Sequence, residues 1–121
     1  MRCPSPAEAR AALWTVRAVV QARREARRTP IDRIRLSPPP ALPDEAIVGV
    51  AGVLRRWPQT CLIQALVCQR WYASHGRPRD LVIGVTMPSA GFRAHAWLVD
   101  DDRCHRGEFT ELLRSPAPSS A

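Results

Sequence analysis

The chain has 121 residues, 45% of them hydrophobic, with a formal net charge of +7 and 18 basic residues that are all Arg. That length fits one domain, and the apolar content is enough for one core, which excludes global disorder. No apolar run approaches the roughly 20 residues of a membrane span, and Met1–Pro6 lacks the apolar stretch of a secretory signal, so a cytoplasmic protein is expected.

Ser5-Pro6-Ala7-Glu8 reads as a capping box that opens a first helix running to about Arg28. Ala9, Leu13, Val16 and Val20 recur at helical spacing on one face; Arg10, Arg17, Gln21, Arg24 and Arg28 recur on another. This is an amphipathic helix. The clustered Arg23, Arg24, Arg27 and Arg28 form a basic patch, readable as a solvated helix face or as a site for an acidic partner or nucleic acid. Pro30 ends the helix, and Ser37-Pro38-Pro39-Pro40 marks a stiff loop, closing a segment over residues 1–42. A second helix is expected from Asp44 to about Arg56, carrying Ile47, Val50, Val53 and Leu54 and closed by Pro58; Gly49 and Gly52 weaken it or let another backbone come close.

From Thr60 the chain changes character. Cys61 to Ala73 is apolar on nearly every side, interrupted only by Gln64, Gln69 and Arg70, as in a helix buried at the centre of a domain. His75 caps its end, and Gly76 and Pro78 stop it. Leu81–Val85 and Arg93–Val99 read as strands, and Asp100-Asp101-Asp102 as a turn. A third short strand follows from Arg103 to about Glu108, then a helical turn from Phe109 to Arg114 and a disordered tail over 115–121. Helices first, then strands joined by tight turns, give an α+β fold in which a small antiparallel sheet packs on the central helix.

Cys61 opens the buried helix. The free N–H groups and positive dipole end there stabilise a thiolate and can also receive an oxyanion. On its own, a cysteine in this position more often reads as a small hydrophobe that happens to start a helix. Cys68, two turns further on, should be an inert thiol in an apolar setting, and Cys3 and Cys104 carry no assigned role. His95 lies mid-strand between Ala94 and Ala96, which leave room for another element or a substrate; it too can be a structural residue. No close pair of Cys or His ligands suggests zinc. Gln59 and Gln64 are possible oxyanion donors, at spacings that support neither.

The ordered set Pro58-Gln59-Thr60-Cys61-Leu62-Ile63-Gln64-Ala65-Leu66, Gly76-Arg77-Pro78, Leu81-Val82-Ile83-Gly84-Val85 and Ala94-His95-Ala96-Trp97-Leu98-Val99 resembles the transglutaminase-like leader peptidases of lasso-peptide biosynthesis, the maturation B proteins. The resemblance covers roughly residues 43–114. It implies a papain-like catalytic core with Cys61 as nucleophile and His95 as base, no cofactor, and cleavage of a ribosomally made precursor peptide. The partners it implies are a separate leader-recognition protein and a cyclase that uses the freed core, with no nucleic acid and no membrane. The family's third residue is an acid on the strand after the His. A hairpin turning at Asp100-Asp101-Asp102 sets Glu108 across from His95, and the turn aspartates themselves read as solvated; which of these acids completes the triad stays open. Two rival readings keep other functions in play: an acyltransferase using the same Cys–His pair, and a basic, non-catalytic binding module.

Overall fold

The computed structural model describes residues 3–86, 93–99 and 110–118. Among the described residues, three helices precede three strands: α1 (Pro6–Arg28), α2 (Ile47–Arg56), α3 (Cys61–Ser74), β1 (Leu81–Thr86), β2 (Arg93–Leu98) and β3 (Thr110–Ser115), with short 3-10 turns at Ile31–Arg33 and Asp44–Ala46. The strands form one antiparallel sheet in the order β2-β1-β3. This is an α+β fold, and among the described residues no helix is long and apolar enough to cross a membrane.

The helix ends follow the local chemistry. Ser5 caps α1 by accepting from the Glu8 amide at 3.1 Å, with Pro6 at the first helical position. Thr60 caps α3 in the same way, accepting from the Ile63 amide. At the far end of α3, the His75 ring sits between the helix and the proline-rich loop, with Nδ1 2.8 Å from the Trp71 carbonyl and Nε2 3.0 Å from the Leu42 carbonyl, and either neutral tautomer donates to one of the two. The start of that loop is held to α1: Trp14 Nε1 donates to the Ser37 carbonyl (3.1 Å) and Gln21 Oε1 accepts from the Ser37 amide (2.9 Å). The Ser37 backbone groups thus find partners without a sheet or helix.

Helix α3 is the centre of the molecule. Ile63, Ala65, Leu66, Val67, Gln69, Arg70, Trp71 and Ala73 are all buried, so successive sides of the helix are covered, by α1, β1 and β2. Trp71 is fully buried, stacks on His75 at 4.1 Å and meets Trp14 of α1 at 5.9 Å. Withdrawing a side chain of this class from water contributes about 1.5–3 kcal/mol. Ala96 and Leu98 of β2 and Leu81 of β1 complete the core from the sheet side.

Three features depart from what the sequence suggests. The face of α1 that enters the core is not Ala9, Leu13, Val16 and Val20 but Ala11, Trp14, Thr15, Ala18, Val19 and Ala22. Both sets have helical spacing; small alanines let the neighbouring helices approach and leave room for Trp14 to reach Trp71, whereas the larger aliphatics face outward. The expected helical turn over Phe109–Arg114 is replaced by β3, which pairs with β1 rather than β2. β3 supplies partners for the second edge of β1, and that tertiary gain overrides local helix preference. The chain also stays ordered past the expected start of the tail: Ser115 is buried, and Asp80 accepts from the Ala117 amide (3.2 Å) and pairs with Arg114 (3.5 Å). The expected third strand over Arg103–Glu108 lies outside the described residues.

The packing of α2 on α1 depends on Gly49. A Cβ there would overlap the Glu8 carbonyl of α1 and fall 3.1 Å from the Ala12 amide nitrogen. At Gly52, one turn on, a Cβ would meet open space. Gly49→Ala should therefore cost about 1–3 kcal/mol by forcing the helices apart. Gly52→Ala should gain up to ~1 kcal/mol of helix propensity. Urea unfolding of the two variants checks this, and a Gly49→Ala protein as stable as the parent would contradict the close helix contact.

Candidate active site at the start of the central helix

Cys61 is the first residue of α3 and is exposed. The Ile63 and Gln64 amides are taken up by Thr60, whose hydroxyl accepts from Ile63 and whose carbonyl accepts from Gln64 (3.0 Å). The amides of Cys61 and Leu62 come before the first intrahelical bond, at the positive end of the helix dipole. Beside them, the Ala96 amide of β2 donates to Cys61 Sγ at 3.4 Å.

The sheet register explains that contact. The Val99 amide donates to the Asp80 carbonyl, and Val82 faces Trp97 while Gly84 faces His95. In the alternating antiparallel pattern, His95 and Trp97 turn their backbone groups to β1, and Ala94, Ala96 and Leu98 turn theirs outward. The nucleophile candidate thus sits against the edge of β2 away from β1, at Ala96, the residue after His95. The His95 ring is half-buried and stacks on Trp97 at 5.8 Å, 19° from parallel. Gly84 makes room for this pair: a Cβ there would lie 2.7 Å from the Trp97 ring and 3.0 Å from the Thr110 carbonyl.

Cys61 and His95 line one groove of about 680 Å³. Its walls are α2, through Ile47, Val50, Ala51 and Leu54, and the edge of β2; α3 contributes Cys61, Gln64, Ala65, Cys68 and Tyr72. The groove exists because α2 packs chiefly on α1, so the space between α2 and β2 is left open. Arg55 and Arg79 line it, with Arg79 over the Tyr72 ring at 4.8 Å, and among the described residues no carboxylate does. The apolar walls and cationic rim suit an extended, mostly apolar peptide segment.

Cys68 is not sealed in an apolar interior as its sequence setting suggests; it is half-exposed on the wall of the same groove. Seven residues of helix separate the two sulfur-bearing positions by about 10 Å along the axis, too far for a disulfide. Cys3 is exposed and remote in sequence. Gln59 gives its Nε2 to the Trp57 carbonyl (3.1 Å), so that amide shapes the turn before Cys61, while Gln64 reaches the groove. Nothing in its spacing marked Gln64; it lies one turn after Cys61, and only the helix face shows that they share a surface.

Glu108 and Asp100, Asp101 and Asp102 lie outside the described residues, as does Cys104. The carboxylate that the sheet does bring into the row of His95 is Glu111. A bulge in β3 sets Glu111 opposite Gly84, on the far side of β1 from His95 and about two strand spacings, or ~10 Å, away. Glu111 is bound to Arg114 at 2.8 Å, and that hydrogen bond holds its carboxyl below the usual carboxylate range. It serves β3 rather than the imidazole.

A cysteine opening a buried helix against a histidine-bearing strand is an arrangement for nucleophilic acyl chemistry. A family model described as the transglutaminase-like superfamily matches residues 6–115, a span that takes in α1 as well as the Cys61 and His95 segments. Neither a curated protein nor a solved structure matches the chain. The family match extends over nearly the whole chain, from the first residue of α1 to the last of β3. The chain belongs to the transglutaminase-like superfamily, whose members are for the most part cysteine proteases and acyltransferases.

Proposed function

We propose that this protein is a cytoplasmic cysteine peptidase that removes the leader from a ribosomally made lasso-peptide precursor. The observation that carries the reading is the meeting of the α3 N-terminus with β2, where Cys61 Sγ lies 3.4 Å from the Ala96 amide beside His95. His95 takes the thiol proton as Cys61 Sγ attacks the scissile carbonyl. The free amides at the start of α3 receive the oxyanion. As the C–N bond breaks, His95 returns the proton to the leaving amine, which is the new N-terminus of the core peptide. Water then gives a proton to His95 and attacks the thioester, releasing the leader carboxylate and restoring the thiol. The groove, with its apolar walls and arginines, would hold the residues flanking the cleaved bond.

In this reading a separate leader-recognition protein delivers the precursor, and a cyclase consumes the freed amine. Glu108 is proposed to orient the His95 ring, with the aspartates at 100–102 as turn residues. Acyl transfer to an amine would use the same residues, and product mass separates the two: hydrolysis yields two peptides with one water added, transfer yields a new amide. A basic binding module would keep its affinity in Cys61→Ala and lose it steeply with salt.

Cys61→Ala should abolish cleavage of the precursor while the far-UV spectrum and unfolding midpoint stay near those of the parent, because an exposed side chain at a helix start packs little. Cys68→Ala should retain turnover, with any effect confined to KM. Cleavage by purified Cys61→Ala near the parent rate would end the proposal.

Glu108→Gln keeps the size of the side chain and removes its charge, so turnover should fall at least about tenfold. Asp102→Asn should be nearly silent in the same assay. A crippled Asp102→Asn with a normal Glu108→Gln would reassign the acid and leave the Cys61–His95 pair standing.

A further inference from the structure

The outer face of α1 carries an apolar stripe that nothing in the described structure covers. Leu13, Val16 and Val20 are 53%, 39% and 44% exposed, and with Ala9 they run along the side of the helix away from the core. Arginines surround the stripe: Arg10, Arg17, Arg24 and Arg28 run along one border, Arg23 stands on the other, and Arg27 lies in line with the stripe just past its C-terminal end, all exposed. The two carboxylates of α1, Glu8 and Glu25, are half-buried and off that face, and Glu25 accepts from Thr29 (3.0 Å). The face is therefore apolar in the middle, cationic along one edge, at Arg23 on the other and at its C-terminal end, and carries no carboxylate of α1.

Two further observations extend it. Between α1 and the Ser37–Pro40 loop lies a cleft of about 410 Å³, bordered by Leu13, Arg10 and Arg17. The bonds from Trp14 and Gln21 to Ser37 hold that cleft open before anything binds. On the opposite border, the Arg23 guanidinium lies 5.9 Å over the ring of the part-exposed Trp57, four residues before Cys61. The surface thus reaches from a preformed pocket to the turn that leads into the candidate active site.

From this geometry we infer that the outer face of α1 is a docking surface for an acidic, amphipathic helix of a partner protein, with one apolar row on Leu13, Val16 and Val20 and carboxylates facing the two arginine borders. Charge complementarity selects this occupant. A second copy of the chain would bring arginine borders against each other. Nucleic acid offers phosphates to the borders but nothing that buries the aliphatic row. An anionic membrane matches the charges, but the row spans only about two turns, has no aromatic residue and belongs to a helix whose other side is fixed in the core, whereas interfacial helices sink a broad, aromatic-bearing face. That the partner delivers substrate to Cys61 rests on the proposed function; the binding itself does not.

The test uses the full chain and a fluorescein-labelled synthetic 18-residue helical peptide with a leucine row flanked by glutamates, followed by anisotropy. A peptide with lysines in place of the glutamates and vesicles of equimolar phosphatidylglycerol and phosphatidylcholine are the alternative ligands. The glutamate peptide should bind, more weakly as salt rises. Binding should fall at least about tenfold in Leu13→Glu/Val20→Glu and in Arg17→Glu/Arg24→Glu. These side chains are exposed, and circular dichroism of each variant checks that it folds. Equal binding of the lysine peptide, undiminished binding by both variants, capture by vesicles without binding of the glutamate peptide, or a dimer in sedimentation that Leu13→Glu/Val20→Glu dissolves would each overturn the inference. Cleavage of precursor by the chain alone is scored separately, so the docking surface and the peptidase reading can fail independently.

Discussion

A helix that is apolar on almost every side has to be covered on almost every side, and in this protein that demand organises everything else. Helix α3 takes α1 on one flank and the sheet on another, with Trp14 and His75 meeting the fully buried Trp71. Its two ends are the places where it emerges. At the C-terminal end the His75 ring sits between the helix and the proline-rich loop. The N-terminal end lies against the edge of β2 that no described strand covers, and there the Ala96 amide reaches Cys61 Sγ. The meeting of Cys61 with β2 at the residue after His95 follows from core packing, and both residues line the same groove.

The groove follows from the same packing. Helix α2 is drawn close to α1 because Gly49 lets the Glu8 carbonyl approach. It therefore stands off from β2, and the space between them becomes an apolar channel with Cys61 and His95 on its wall. Gly84 performs a comparable service inside the sheet, since the space it leaves is filled by the Trp97 ring on which His95 stacks. Two missing side chains thus shape the site from outside it.

The parts of this arrangement visible in the sequence were those written in local chemistry. Ser5 as a cap, Pro30 and Pro58 as stops and the alternation around His95 all have short-range causes, and the helices and first two strands follow from them; the Thr60 cap of α3 emerged only in the structure. The apolar stripe that enters the core from α1 was not legible, because Ala9-Leu13-Val16-Val20 and Ala11-Trp14-Ala18-Ala22 share one periodicity and only the fit of Trp14 against Trp71 separates them. The last segment was not legible either: Thr110–Ser115 becomes a strand because β1 offers an edge, a tertiary fact that its own residues do not record. At the site, Cys61 was legible from its position at a helix start. The exposure of Cys68 and Gln64 to the same groove depended on where α2 comes to rest.

The central claim is that Cys61 is an activated nucleophile because of what surrounds it, and competitive alkylation tests that claim without needing a substrate. The chain is treated with limiting iodoacetamide at neutral pH, and the labelled cysteines are quantified by peptide mass spectrometry in the parent and in His95→Ala. The account predicts that Cys61 reacts ahead of Cys3 and Cys68, and that its rate falls at least about tenfold when His95 is removed. Preferential labelling of Cys68, or a Cys61 rate that is the same with and without His95, would contradict it.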